Sequence, residues 1–319
     1  MDFETLPHSS TPPPFQAHPP ESLLSKIFVN DKGLRAGWRL LVYAAFVAGL
    51  GFGGGIVLQH FVRPTRGVFS PGYLYAQEVF SFIVVFAAAL IMARIERRSP
   101  GVYGLPSRGA FGKLFWQGCL VGLIEVSALV GLIAAFGGYS FGGLAVHGGE
   151  LWRWGILWAV FFVFVGLFEE FLFRGYTQYT LADGIGFWPA AVVLSCLFGA
   201  VHLANPGEGW VGAAGVVTIG LIFALVLRRT GNLWFAVGLH ASFDFGETFL
   251  YSVPNSGMVF EGHLSNASLH GARWLTGGSV GPEGSVFSFL TMGMLALAVH
   301  LLFPAKKTEP TQNQSDEPD

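Results

Sequence analysis

The chain has 319 residues, 52% of them hydrophobic and only 12% charged, with 31 Phe and 9 Trp. A soluble domain of this length needs about twice that charge to cover its surface, so a mean hydropathy of +0.54 predicts a polytopic, all-α membrane protein. A net charge of −2 with no basic stripe argues against nucleic acid as a partner.

The chain opens on a polar, Pro-rich head (Thr11–Pro14, Pro19, Pro20), so residues 1–36 are expected to form a disordered, juxtamembrane segment. The first apolar run starts only near Leu40, which does not fit a cleavable signal peptide. A membrane-spanning helix needs roughly 17–25 mostly apolar residues. Eight stretches are read as spans: 40–60, 73–93, 112–137, 152–176, 187–204, 210–228, 232–251 and 285–303. Asn205-Pro206-Gly207 separates the fifth from the sixth, and a turn at Arg228–Asn232 separates the sixth from the seventh. These spans define a transmembrane domain over 37–304, followed by a polar tail, 305–319, expected to be disordered. With the N-terminus inside, the cytoplasmic segments hold fourteen of the 18 Lys and Arg, leaving Arg63, Arg66, Arg153 and Arg273 outside. That bias predicts both termini in the cytoplasm and a place in the cell (inner) membrane.

The segment 251–284 is long for a bundle connection and rich in Gly, Ser and His. It reads as a lid, a re-entrant piece or a loose loop. No internal repeat is visible, which weighs against an inverted-repeat transporter. Cys119 and Cys196 fall inside apolar runs and read as two buried thiols, not as a disulfide framework.

The polar residues with most to explain lie in the second half. Trp154–Phe168 is nearly unbroken hydrocarbon, and Glu169-Glu170-Phe171-Leu172-Phe173-Arg174 follows it. A carboxylate in or beside a hydrocarbon slab is costly, so its default reading is functional. On a helix Glu170 and Arg174 are i,i+4 neighbours in the favourable order, while Glu169 is rotated by about 100°. This predicts a structural pair, Glu170 with Arg174, and a Glu169 that faces a cavity. A solvated helix end is the plainer alternative, opposed by the apolar Phe171-Leu172-Phe173.

His202 closes Phe198-Gly199-Ala200-Val201-His202, and a lone His at a span end is more often a structural hydrogen-bonder than a ligand. His240-Ala241-Ser242-Phe243-Asp244 stacks an imidazole and a carboxylate on one helix face in mid-span, which packing alone does not explain. Glu169, His202, His240 and Asp244 suit activation of a water, with Glu taking the proton and His holding the water or the developing oxyanion. The same four residues also suit a divalent metal such as Zn with N and O ligands. Spacing alone does not separate these two chemistries.

The three motifs, in this order and on separate spans, resemble those of the CPBP intramembrane proteases, the group of type II CAAX prenyl endopeptidases and bacteriocin-processing proteins. The resemblance covers residues 151–251, a third of the chain. It implies that Glu169 and His202 activate the nucleophilic water and that His240 and residue 244 stabilise the oxyanion. It also implies that Glu170–Arg174 braces the helix and that the substrate is a membrane-associated peptide or protein, prenylated or bacteriocin-like. Position 244 departs from the family pattern, which usually has Asn where this chain has Asp244. An ionised Asp cannot donate a hydrogen bond to an oxyanion.

The expected spans contain a tension. Glu169 falls late in an outside-to-inside span and His202 late in an inside-to-outside one, so straight helices place them near opposite faces. Running the fourth helix on to about Leu181 would bring Glu169 nearer the middle. Glu125, mid-span in the third helix, is expected to be protonated, or to pair with Arg174 or a catalytic His, with a structural role favoured. Glu78 reads as interfacial, and His60, His147, His263, His270 and His300 sit in loops or at helix ends. Gly277-Gly278-Ser279-Val280-Gly281 matches the nucleophile-elbow pattern but lacks its strand–turn–helix context, which weighs against a serine protease. Asn266-Ala267-Ser268 is a formal glycosylation sequon, and no His-Glu-x-x-His motif of an ordinary zinc protease is present. The sequence therefore supports an intramembrane endopeptidase. A proton-coupled transporter or channel using the same Glu, His and Asp residues as a relay is the alternative.

Overall fold

The structure, a computed structural model, describes residues 28–30, 33–62 and 70–305. Most of the expected disordered head, nearly all of the tail, and Arg63, Arg66, Lys306 and Lys307 lie outside these residues. In chain order the helices are α1 (Ala36–Phe61), α2 (Pro71–Ile95), α3 (Lys113–Ala135), α4 (Gly149–Arg174) and α5 (Tyr176–Ile185). They continue as α6 (Phe187–His202), α7 (Trp210–Thr230), α8 (Trp234–Phe245), the short α9 (Arg273–Thr276) and α10 (Val286–Leu302). Two small antiparallel ribbons accompany them: β1 (Val29–Asn30) with β2 (Gly33–Leu34), and β3 (Tyr139–Ser140) with β4 (Ser268–Leu269).

The protein is all-α and multi-pass. Of the eight expected spans, five coincide with helices long and apolar enough to cross a membrane: α1, α2, α3, the run Gly149–Ile185, and α7. The other three are shorter. α6 has 16 residues and α10 has 17, and α8 has 12 before a π-helical turn, Gly246–Leu250, extends it. Helix faces left bare of protein are apolar, as in the row Trp116, Leu120 and Ile124 on α3, which is what contact with hydrocarbon requires. The Cys196 thiol lies on such a face of α6 and is exposed, while Cys119 is half-buried, so the expectation of two buried thiols is corrected.

Two apolar layers bracket the middle of the bundle. One gathers Ala88 and Met92 of α2, Leu167 and Phe171 of α4, and Trp234 and Val237 of α8. The other gathers Trp158, Phe161 and Phe162 of α4 around Ala241 and Phe249. α3 and α8 approach backbone to backbone because Gly118 and Gly122 lie against α8 and Gly238 lies against Phe115 and Cys119 of α3. A Cβ on Gly118 would meet the Phe235 carbonyl oxygen, and one on Gly122 would meet Leu239 and Ser242. Small residues one turn apart serve this purpose where lipid offers no hydrophobic drive between helices. Gly122→Val is expected to push α8 aside, lowering the thermal midpoint of the detergent-purified protein by several degrees, about 1–3 kcal/mol of overpacking. An unchanged midpoint would show that the contact is not tight.

At the far end, Arg39 of α1 bonds Glu96 after α2 at 2.6 Å and Asp183 of α5 at 2.9 Å. The Tyr176 hydroxyl donates to Glu96 at 2.5 Å, which ties α5 to the same cluster. The segment 251–284 is folded, not loose. β4 pairs with β3, Gly257 N–H donates to the Val280 carbonyl, and the 3-10 turn Pro282–Gly284 leads into α10. Ser279, the centre of the nucleophile-like pattern, donates its hydroxyl to the Gly207 carbonyl at 2.9 Å and so ties this segment, a cap on the bundle, to the α6–α7 connection.

Candidate active site

The depth conflict between Glu169 and His202 disappears because the chain does not turn back after α4. It breaks only at Gly175 and continues as α5 to Ile185 before reversing at Gly186, whose φ of 88° suits glycine. α6 then takes 16 residues to return to His202, close to the number separating Glu169 from that turn. His202 Nε2 therefore stands 4.0 Å from Glu169 Oε2.

α4 reaches α8 through Gly166, where a Cβ would lie 3.0 Å from the Val237 carbonyl oxygen. One turn further on, Glu170 meets the α8 histidine. His240 Nδ1 donates to Glu170 Oε1 at 2.9 Å, and the same oxygen takes Arg174 Nη1 at 3.3 Å. Glu170 and Arg174 are 0% and 1% exposed. The Arg174 guanidinium also lies over the Phe198 ring at 4.3 Å, so its charge is shared with an aromatic face. Glu170 is thus more than the helix brace read from spacing, because it also holds His240 across the helix interface.

With Nδ1 occupied, His240 turns Nε2 toward two carboxylates: Asp244 Oδ2 at 3.5 Å and Glu169 Oε2 at 3.7 Å. The i,i+4 pairing of His240 with Asp244 is as expected from their spacing. His202 Nδ1 lies 2.8 Å from the Phe198 carbonyl. A carbonyl only accepts, so Nδ1 carries the hydrogen and Nε2 is the ring nitrogen that faces Glu169. His202 is both the structural hydrogen-bonder and a member of the site.

One cavity is lined by Glu169, His202, His240 and Asp244, together with Glu78, Asn205 and Asn255. Glu78, read from sequence as interfacial, faces this cavity with Glu169. Asn255 is a residue that sequence reasoning missed: it comes from the cap, is buried, and donates Nδ2 to the Asp244 backbone carbonyl at 3.4 Å. Its only sequence signal was membership of the long Gly- and Ser-rich segment. Glu283, also from the cap, accepts from Ser256 N at 2.6 Å and Ser256 Oγ at 3.0 Å. Burial first, and the neighbouring Asp244 charge second, push Glu283 up to about 7.

The side chains of Glu169, His202, His240 and Asp244 have the donor chemistry for a divalent metal. Among the described residues, however, no group of three or more His, Cys, Asp and Glu could hold a metal ion as arranged. Glu125 does not pair with Arg174: it is buried, with Oε2 lacking any hydrogen-bond partner.

Residues 151–246 match the family model described as Rce1-like, type II CAAX prenyl endopeptidase. This is the family grouping that the three motifs resemble, and the matched stretch contains Glu169, Glu170, Arg174, His202, His240 and Asp244. No curated protein matches the chain.

Proposed function

Taking the Rce1-like domain at residues 151–246 as premise, we propose that the protein is an intramembrane endopeptidase. It hydrolyses a peptide bond of a membrane-associated substrate, with Glu169 and His202 activating the water. The observation that carries this reading is the meeting of a carboxylate from α4 with imidazoles from α6 and α8, His202 and His240 standing 4.0 and 3.7 Å from Glu169 Oε2.

Glu169 Oε2 and His202 Nε2 are both acceptors, so a water between them gives a hydrogen bond to each and turns a lone pair toward the substrate carbonyl. Glu169 takes the proton as the water attacks and returns it to the leaving amine. His240, anchored by Glu170, presents Nε2–H in its doubly protonated form to the developing oxyanion. Asp244 supplies a countercharge at 3.5 Å that keeps this ring in place. Asn255, in the same cavity, is the neutral amide donor that an ionised Asp244 cannot be. Both termini are placed in the cytoplasm, following the basic residues.

Purified protein in liposomes, incubated with a membrane-anchored peptide, is expected to produce two fragments with one new carboxyl terminus. An intact peptide together with proton flux across the same liposomes would favour the transporter reading. Asp244→Asn is expected to retain kcat/KM within roughly tenfold of wild type, because an amide at this position can hold His240 or donate directly. A metal-ligand role for Asp244 predicts lowered metal content in that variant instead.

A further inference from the structure

A second, narrow cavity adjoins the first, sharing His202, His240, Asp244 and Ser256 as lining. Its walls are apolar, including Phe198, Ile219, Phe223 and Met292, yet it holds three carboxylates: Glu125 of α3, Asp244 of α8 and Glu283 of the cap. None of the lining residues is Lys or Arg, and His240, already set against Asp244 at 3.5 Å, leaves Glu125 and Glu283 without a basic partner. Glu125 is only 7% exposed, and its Oε2 has no hydrogen-bond partner. Glu247, on the π-helical turn that follows α8, is 0% exposed with both carboxylate oxygens unpartnered.

Burying a carboxylate without a partner is costly, and a cluster of them is more so. The ligand that offsets this cost has a cationic head on an apolar stem, so that the stem packs on the aromatic walls while the head meets the acids. A metal ion is the poorer complement, since no three of these acids stand in a metal-holding arrangement among the described residues. A free C-terminal carboxylate beside the scissile bond would be repelled by the same groups.

We infer that this second cavity is a substrate pocket that takes the side chain of a Lys or Arg flanking the scissile bond. The inference rests on the endopeptidase reading. It assigns Glu125 and Glu283 to recognition, outside the groups that activate water.

The test uses the full chain in liposomes and anchored peptides identical except for Lys, norleucine or Glu next to the cleaved bond. The Lys peptide is expected to show kcat/KM at least roughly tenfold above norleucine, with Glu the lowest. In Glu283→Gln or Glu125→Gln the ratio of Lys to norleucine cleavage should shrink to about threefold or less. Equal cleavage of Lys and norleucine peptides by wild type, or a preference unchanged in both folded variants, overturns the inference. Titration of the same peptides, carrying a fluorescent label, onto Glu169→Gln protein separates the two readings. Charge-selective binding with no cleavage by wild type keeps the pocket and overturns the endopeptidase. Cleavage without charge-selective binding does the reverse.

Discussion

Glu169→Gln is expected to leave a folded protein whose kcat/KM on an anchored peptide is lower by roughly a thousandfold or more. Gln keeps the size and one oxygen of Glu169 but cannot take the water's proton or hand it to the leaving amine. Removing a positioned general base and acid costs about 10²–10⁴ in rate, and here one residue serves in both steps. The fold should survive, because the Glu169 side chain is 22% exposed to the cavity and is not part of the buried Glu170–Arg174 pair. Kinetics beside circular dichroism and thermal midpoint separate the two outcomes. A folded variant at wild-type rate would remove Glu169 from the chemistry.

The second large effect is on stability. Arg174→Met leaves Glu170, 0% exposed, without the cation 3.3 Å away. Removing one partner of a buried ion pair costs about 3–5 kcal/mol, and the His240 Nδ1–H at 2.9 Å is then the partner that Glu170 Oε1 keeps. Loss of the guanidinium from the Phe198 face adds to this. The thermal midpoint in detergent should fall sharply, and activity with it, since Glu170 also holds His240. Glu170→Gln combined with Arg174→Met should recover much of the stability, because no bare charge is then left inside. Recovery of stability without recovery of rate would distinguish the fold's need for a neutral interior from the site's need for a carboxylate behind His240. If Arg174→Met alone melts like wild type, the pair is not holding the helices together.

The parts of the site legible in the sequence are those that depend on one helix. Glu170 with Arg174, and His240 with Asp244, follow from i,i+4 spacing alone and stand 3.3 and 3.5 Å apart. The link from Glu170 to His240 was not legible, because it depends on how closely α4 and α8 pack at Gly166. The common depth of Glu169 and His202 was legible in part: a fourth helix run on to about Leu181 was the right direction, but the reversal itself lies at Gly186. Hydropathy could not locate that reversal, since the less apolar α5 continues beyond the expected end of the fourth span. Cap residues such as Asn255 and Glu283 carry no periodicity, so only tertiary structure brings them to the cavities.

Span lengths show a related limit. α6, α8 and α10 are apolar enough to be read as spans, yet they are shorter than the helices that meet the crossing length. Burial explains part of this: α8 is almost wholly enclosed by its neighbours, from Trp234 to Leu239. Residues facing lipid and residues facing protein are equally apolar, so composition cannot tell them apart. Cys196 was misread for the same reason: its apolar surroundings in sequence are an exposed helix face.

The central claim is that water activated by Glu169 attacks the peptide carbonyl directly. It is tested by single-turnover cleavage of an anchored peptide in ¹⁸O-labelled water, with the protein and both fragments weighed by mass spectrometry. The account predicts one ¹⁸O in the new carboxylate, a free amine on the other fragment, and no acylated protein at any time. An acyl adduct on the protein, or a peptide left intact by folded wild-type protein, would contradict it.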